Sequence, residues 1–459
     1  MTDDDAIMTD VRAAGTITES APRRFADPLP DAADAVFIGG GVIGVSTAFF
    51  LAEHGLKVVV CEKGRIAGEQ SSRNWGWVRQ MGRDPDELPI MMEANRIWRG
   101  LADRTGEDFG FAVEGAIYLA ETEEEQAANE KWLEVARQHQ LDTRAISGRQ
   151  VEELIDGRPG LWAGGLYTPS DGRAEPWQAV PALARAAQRL GAVIAEDCAV
   201  RTVDLKVGGV AGVATENGRI RCNRVVLAGG AWSALFAGNM GIRLPQLIVS
   251  ATVARTAPAP NVYAGNAGDS RFDFRRRADG GYTIASGGRH THFLGPKSFR
   301  YLGLFVPSLR VGWQKTRIRP AAPRDYPDAW ATPRHWWPDD ESPFERIRVL
   351  NPKPAPGAVA RMRRDMDARL PALRDVEIVE SWAGMIDTMP DVVPVIDEVP
   401  NHAGLFIATG FSGHGFGIGP GVGRVVADLV QGRPPGHDLA RFRFSRFTDG
   451  SPIDLGPAL

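Results

Sequence analysis

The sequence has little cysteine: Cys61, Cys198 and Cys222 are the only three in 459 residues. Three thiols cannot build a disulfide framework. That excludes a stapled secreted scaffold and makes a reducing, cytoplasmic compartment the expectation. An excess of one charge is also missing. The 53 Lys and Arg stand against 57 Asp and Glu, a formal net charge of −4, so no global attraction to nucleic acid is expected. Long hydrophobic runs are scarce. One long uncharged and strongly apolar stretch, residues 35–52 (AVFIGGGVIGVSTAFFLA), is interrupted by Gly39, Gly40, Gly41 and Gly44, and it only just reaches the roughly 18 residues of a membrane span. The N-terminus opens with acids, unlike a signal peptide, and residues 1–30 read as a flexible extension. A soluble protein is the expectation.

What the sequence has in excess is glycine, 52 residues in all. Glycine serves tight turns and places where a ligand approaches the backbone closely. The rest of the composition, 43% apolar and 24% charged, is ordinary for a globular chain of about two or three domains.

The first chemical signal lies near the start. A strand at Val36–Ile38 leads into Gly39-x-Gly41-x-x-Gly44, a helix follows to His54, and a second strand ends at Cys61 with Glu62 behind it. Glu62 stands 18 residues after Gly44, close to the ~20 expected of a dinucleotide-binding βαβ unit. Gly39 permits the turn, Gly41 lets the backbone approach a pyrophosphate, and Gly44 lets helix and sheet touch. Val42 and Ile43 bring the helix N-terminus, with its free N–H groups, to the phosphates. Glu62 can accept ribose hydroxyls.

The far end of the chain holds a second such element. A strand at 405–410 runs into the loop Phe411-Ser412-Gly413-His414-Gly415-Phe416-Gly417 and a helix expected from Pro420 to about Gly432. A helix N-terminus aimed at that loop favours a developing anion, which suits the pyrimidine end of a reduced flavin. Between the two, Asn217-Gly218 predicts a hairpin that feeds the strand 224–230. A helix is expected over 175–190 with a strand at 192–195, and Val200 is placed to lie against an adenine. A helix is also expected from Glu123 to His139, capped by Thr122 and Glu125. His290 and His292 form an HxH pair without further ligands at metal spacing, so no metal is expected. Neither a G-x-S-x-G motif nor a P-loop is present. Residues 271–335 carry 13 Lys or Arg against 4 Asp. This segment reads as a solvated cover, with a basic entrance for carboxylate substrates or a membrane-surface contact as the other readings; the membrane contact is not favoured.

The motifs Ile66–Arg73, Ser71–Asn74, Leu227–Gly230, Trp382–Gly384, Glu341–Glu345 and Ala408–Gly410 resemble the D-amino acid oxidase superfamily. Within it the chain is most similar to bacterial L-amino acid deaminases and L-amino acid oxidases, over residues 31–447. The resemblance implies an α/β (α+β) fold, with an interrupted Rossmann-type FAD-binding domain (31–79, 141–240 and 376–447) interleaved with an antiparallel-sheet substrate domain (80–140 and 241–375). It implies cofactor contacts from Lys63, Gln70, Ser71, Ser72, Asn74, Trp75, Gly76, Gly229, Gly230, Trp232, Gly384, Gly413, His414, Gly415 and Phe416. It also implies hydride transfer from the substrate Cα to flavin N5, then imine hydrolysis to a 2-oxo acid and ammonia, with no obligatory protein base. Arg289 and Arg83 are the candidates for holding the substrate carboxylate, Gln80 for the amino group, and Trp382 and Phe411 for aromatic walls.

Two departures matter. The related deaminases begin with a membrane anchor and none is expected here, so molecular oxygen is the expected acceptor and hydrogen peroxide the expected product. Phe411 stands where they have Trp. No cysteine follows Cys222, so the expected FAD is non-covalent. The assembly expected by default is a homodimer. The alternative activity is a dye- or quinone-linked dehydrogenase of D-amino acids or of secondary amines such as sarcosine.

Overall fold

A computed structural model describes residues 15–456. Short strands with no polar face form its first sheet: AVFI at Ala35–Ile38 and VVVC at Val58–Cys61 are buried at every position. Continuous apolar strands are what a parallel sheet covered on both faces requires. Six strands lie in the order 395–398, 405–409, 225–227, 35–38, 58–61, 193–195, and all neighbours are parallel except the first pair. The helices Val42–Glu53, Pro176–Arg189 and Gly415–Val430 pack together on this sheet's core.

The second sheet is mixed and has nine strands. Its path runs 378–388, 247–256, 282–293, 273–276, 266–268, 116–120, 164–168, 144–147, with 316–319 added beside 282–293. This sheet therefore joins strands from both sides of the divisions expected at 140/141 and 375/376.

Three local expectations are corrected. The C-terminal helix begins at Gly415 rather than near Pro420. Glycines at 415, 417 and 419 accept helical dihedrals, and a proline in the second turn removes one N–H donor close to the helix start. The expected 123–139 helix is two helices, Glu123–Glu130 and Leu133–Gln138. Between them Trp132 is buried and its indole donates to the Arg83 carbonyl at 3.0 Å. Residues 15–30, expected to be a flexible extension, are anchored at Phe25, which is 2% exposed, and Glu196 accepts the backbone N–H groups of Arg24 and Phe25. Irregular backbone pinned by side-chain acceptors leaves no periodicity to read. The remainder of that extension, residues 1–14, lies outside the described residues.

Candidate active site

Two hollows meet inside the molecule. A cleft follows the carboxyl ends of the parallel strands, and a cavity of about 760 Å³ lies over the second sheet. Gln70, Asn74, Gly413 and Phe416 border both.

The cleft is built mainly from backbone. Gly39 has φ +113, and a Cβ there would lie 2.6 Å from the Ala228 carbonyl oxygen; a Cβ on Gly44 would overlap the Gly39 carbonyl. Gly44 accordingly borders no hollow and acts by letting the helix close onto the turn. Gly41, Val42 and Ile43 border the cleft at the helix N-terminus, where the Val42 N–H donates to Ser71 Oγ at 2.9 Å. The Glu62 carboxylate accepts the N–H groups of Gly40 at 2.7 Å and Gly64 at 2.8 Å. Burial pushes this carboxyl up to about 7, against the opposing charge of Lys63. The Lys63 ammonium is committed to Glu69 at 2.6 Å and to the carbonyls of Ile347 and Arg348, and it lies 4.4 Å from the Trp232 ring centre. The Trp232 indole in turn donates to Glu69 at 2.9 Å. Val200, Gly229, Gly230 and Gly415 border the same cleft.

Phe411 borders the cleft rather than the larger cavity, a correction to its place as a substrate wall. Ser72 and Gly76 border neither hollow. The Ser72 hydroxyl is taken by the Ile17 N–H and the Glu69 carbonyl, and Gly76 abuts Ala174 and Arg275. Trp75, Gly384 and His414 border the larger cavity only. A Cβ on Gly384 would overlap Gln70 Oε1, a buried oxygen with no partner among the described residues.

The larger cavity has a floor and a roof. Alternate residues of two strands, Gly384, Ile386 and Thr388 with Leu247, Val249, Ala251 and Val253, form the floor. The helix Leu302–Gly312 crosses above it with Leu302, Phe305 and Leu309, so the basic segment contributes directly to the site. Arg289 borders this cavity, is exposed, and its side chain makes no ion pair or hydrogen bond among the described residues. Arg83 borders it too, but its guanidinium donates to Glu87 at 3.3 Å, the His414 carbonyl at 3.0 Å and the Arg79 carbonyl at 3.3 Å. Burial draws Arg83 down to about 10, so it stays charged. His414 Nδ1 sits 3.6 Å from Glu87, too far for a hydrogen bond. Burial lowers the His414 pKa, which keeps the imidazole neutral.

Gln80 and Trp382 are corrected as substrate contacts, because neither borders a hollow. The Gln80 amide donates to Ser170 at 3.1 Å and Asp171 at 3.3 Å, and the Trp382 indole to the Arg73 carbonyl at 2.9 Å. Both side chains are spent on structure. The imidazoles of His290 and His292 are likewise engaged, by the Gly288 carbonyl with Thr316 and by the Ile248 carbonyl with Ser298.

Sequence reasoning missed Glu69, Asp387, Arg79, Tyr118 and Asp273. Glu69 lies within the Ile66–Arg73 motif already singled out, and Arg79 and Tyr118 border the larger cavity. Asp387 borders the cleft and accepts the Gly410 N–H at 2.7 Å, a contact between distant segments that no local pattern announces.

FAD fits this arrangement. The glycine turn leaves room for a pyrophosphate, Glu62 stands where a ribose would, and Gln70 Oε1 offers an unused acceptor where the two hollows meet. No helix among the described residues is long and apolar enough to cross a membrane.

The solved L-amino acid deaminase from Proteus myxofaciens, in complex with anthranilate, superposes with a TM-score of 0.89 at 30% identity, covering 95% of this chain and 100% of that one. The L-amino acid deaminase from Proteus vulgaris gives 0.86 at 28% identity, covering 94% and 100%. Glycine oxidase from Geobacillus kaustophilus is 28% identical over 90% of this chain and 97% of its own length. Mitochondrial dimethylglycine dehydrogenase from Mus musculus is 25% identical over 88% of this chain, which spans only 43% of that enzyme. The family model for FAD dependent oxidoreductases matches residues 34–429. The chain belongs to this FAD-dependent family, the DAO family.

Proposed function

We propose that the protein oxidatively deaminates L-amino acids to 2-oxo acids, with ammonia and hydrogen peroxide as the other products and dioxygen as electron acceptor. One observation carries the reading. A cavity of about 760 Å³, large enough to admit an amino acid, opens onto the nucleotide cleft and presents an arginine, Arg289, whose side chain has no partner among the described residues. The bound FAD supplies the acceptor for the hydride that leaves the substrate Cα. The chain supplies the orientation. Arg289 holds the carboxylate through two parallel N–H bonds. Arg83 fixes the His414 loop where cleft and cavity meet, and Leu302, Phe305 and Leu309 exclude water from above. The amine proton leaves to solvent. The N-terminus of Gly415–Val430 directs its dipole at the loop bordering the cleft, which favours negative charge there.

The similarity to the two deaminase structures supports the L-amino acid reading. The similarity to dimethylglycine and sarcosine dehydrogenases favours a second reading, dehydrogenation of a secondary amine such as sarcosine. A peroxidase-coupled assay with separate L and D enantiomers and sarcosine decides between them. Peroxide from several L forms and none from D forms is the expected result. Peroxide only from D forms or sarcosine overturns the L assignment, and silence in air with reduction of a dye overturns the oxidase assignment.

A further inference from the structure

The end of the large cavity away from the flavin loop has a chemistry of its own. Asp273 and Ser286 both border the cavity and are each 7% exposed. Asp273 Oδ2 and Ser286 Oγ have no hydrogen-bond partner among the described residues. Buried polar atoms left unpaired are rare, and each calls for an explanation. Asp269, beside them, shows the contrast. It accepts the Arg369 guanidinium at 2.7 Å, the Trp162 indole at 3.2 Å and two backbone N–H groups.

The backbone is shaped to keep these groups in place. Ser286-Gly287-Gly288-Arg289 form a bulge: four residues stand opposite the single Thr252 between the pairs Ala285–Val253 and His290–Ala251. A bulge re-aims side chains at the edge of a site. Gly287, with φ +45, lies against the Ser270 carbonyl, and Gly268 leaves room for the Asp273 carboxylate.

The sheet register gives the reach. Asp273 pairs with Ala285, Ala285 with Val253, and Val253 with Trp382, two residues before Gly384. Three inter-strand spacings make about 14 Å, so a leucine-sized side chain starting at the flavin end stops short of Asp273.

We propose that Asp273 and Ser286 form a distal subsite for the N–H-donating terminus of a long amino-acid side chain. This rests on the amino-acid oxidase reading of the cavity. Burial and the neighbouring Asp269 raise the Asp273 carboxyl to about 7 against Lys315, the Gly287 backbone N–H and Arg79. It therefore serves as acceptor when ionised and as donor when protonated. Because Arg79 and Lys315 oppose a cation, the test separates a charged terminus from a neutral one.

The experiment compares kcat/KM of the holoenzyme for L-arginine, its neutral isostere L-citrulline and apolar L-norleucine. Asp273→Asn is expected to lower the arginine-to-norleucine ratio at least tenfold, and Ser286→Ala about threefold. An equal fall for citrulline identifies any N–H donor as the occupant, and a fall for arginine alone identifies a cation; either supports the subsite. Ratios unchanged in both variants overturn it. Calorimetry with δ-guanidinovalerate, which has no α-amine to oxidise, tests the subsite if no L-amino acid is turned over. Binding weakened by Asp273→Asn sustains the subsite while the oxidase reading falls, and equal binding overturns the subsite.

Discussion

The two hollows of this protein are made in opposite ways. The nucleotide cleft is largely backbone: glycine turns, a helix N-terminus and one carboxylate, Glu62, that takes two N–H groups from its own neighbourhood. The substrate cavity is largely side chain, gathered from strands at 247–256, 282–293 and 378–388 and roofed by the helix 302–312. A backbone site tolerates little variation, because its contacts are the chain itself. A side-chain site can be refitted one residue at a time, which is how a shared fold serves different substrates. The contrast can be broken by substitutions that should hit one hollow and spare the other.

The largest effect belongs to the cleft. Gly44→Ala drives a methyl group into the Gly39 carbonyl, and neither backbone segment can move without opening the turn. The purified variant is expected to hold less than about a tenth of the wild-type flavin, read as flavin absorbance per protein. A yellow, fully loaded variant would show that the turn is not the cofactor's seat.

Arg289→Ala is next and should act on the other hollow alone. Loss of a bidentate carboxylate clamp is expected to lower kcat/KM by about a hundredfold, with flavin content at the wild-type level. Arg289→Lys should recover only part of it, since a point charge cannot reproduce the planar fork. If Arg83→Ala gave the larger loss with flavin retained, the carboxylate would belong to Arg83, and the Glu87 and His414 contacts seen for it would be secondary.

This division also explains what could be read from the sequence. The cleft was legible because its parts lie within one βαβ unit: strand, Gly39-x-Gly41-x-x-Gly44, helix and Glu62 follow one another at fixed spacing. The far element, 405–416, was recognisable by the same glycine signature. Its helix start was misplaced because Pro420 fits the first helical position by preference, whereas the glycines before it already close a turn. The cavity was not legible in this way. Gln80 and Trp382 lie close in sequence to cavity residues, but their side-chain donors are taken by Asp171 and by the Arg73 carbonyl. Asp273 escaped notice because nothing local distinguishes it from a surface acid. Its isolation arises from the pairing with Ala285 and the bulge at 286–289, which are facts of register.

A smaller effect probes the buried carboxyl of the cleft. Burial raises the Glu62 carboxyl from an ordinary 4.5 to about 7. The folded apoprotein therefore binds this proton more tightly than the unfolded chain does. The stabilisation is complete below about pH 4.5 and is lost as pH rises through about 7. The melting temperature of the apoprotein is expected to fall over that window, and Glu62→Gln should flatten the fall by roughly 2–5 °C. Identical slopes in the two proteins would mean that Glu62 stays ionised, held by the Gly40 and Gly64 N–H groups.

The smallest effect concerns how substrate reaches the cavity. Arg73, Arg79, Arg83, Arg289 and Lys315 border it against Glu125, Asp269 and Asp273, of which Asp269 is paired with Arg369 and Asp273 is raised to about 7. The opening therefore presents net positive charge although the whole chain carries −4. A local field of that sign concentrates carboxylate substrates and is screened over about 8 Å at physiological ionic strength. For an uncharged side chain such as that of leucine, kcat/KM is expected to fall about two- to threefold between low and high salt, and Lys315→Gln should reduce that dependence. Lys315 is the informative position because it is exposed and borders the cavity but not the cleft, so its substitution alters the field without reshaping the floor. A rate that rises with salt would mean that the acids at the cavity's far end dominate the entrance, and the refittable hollow would then select against carboxylates before they bind.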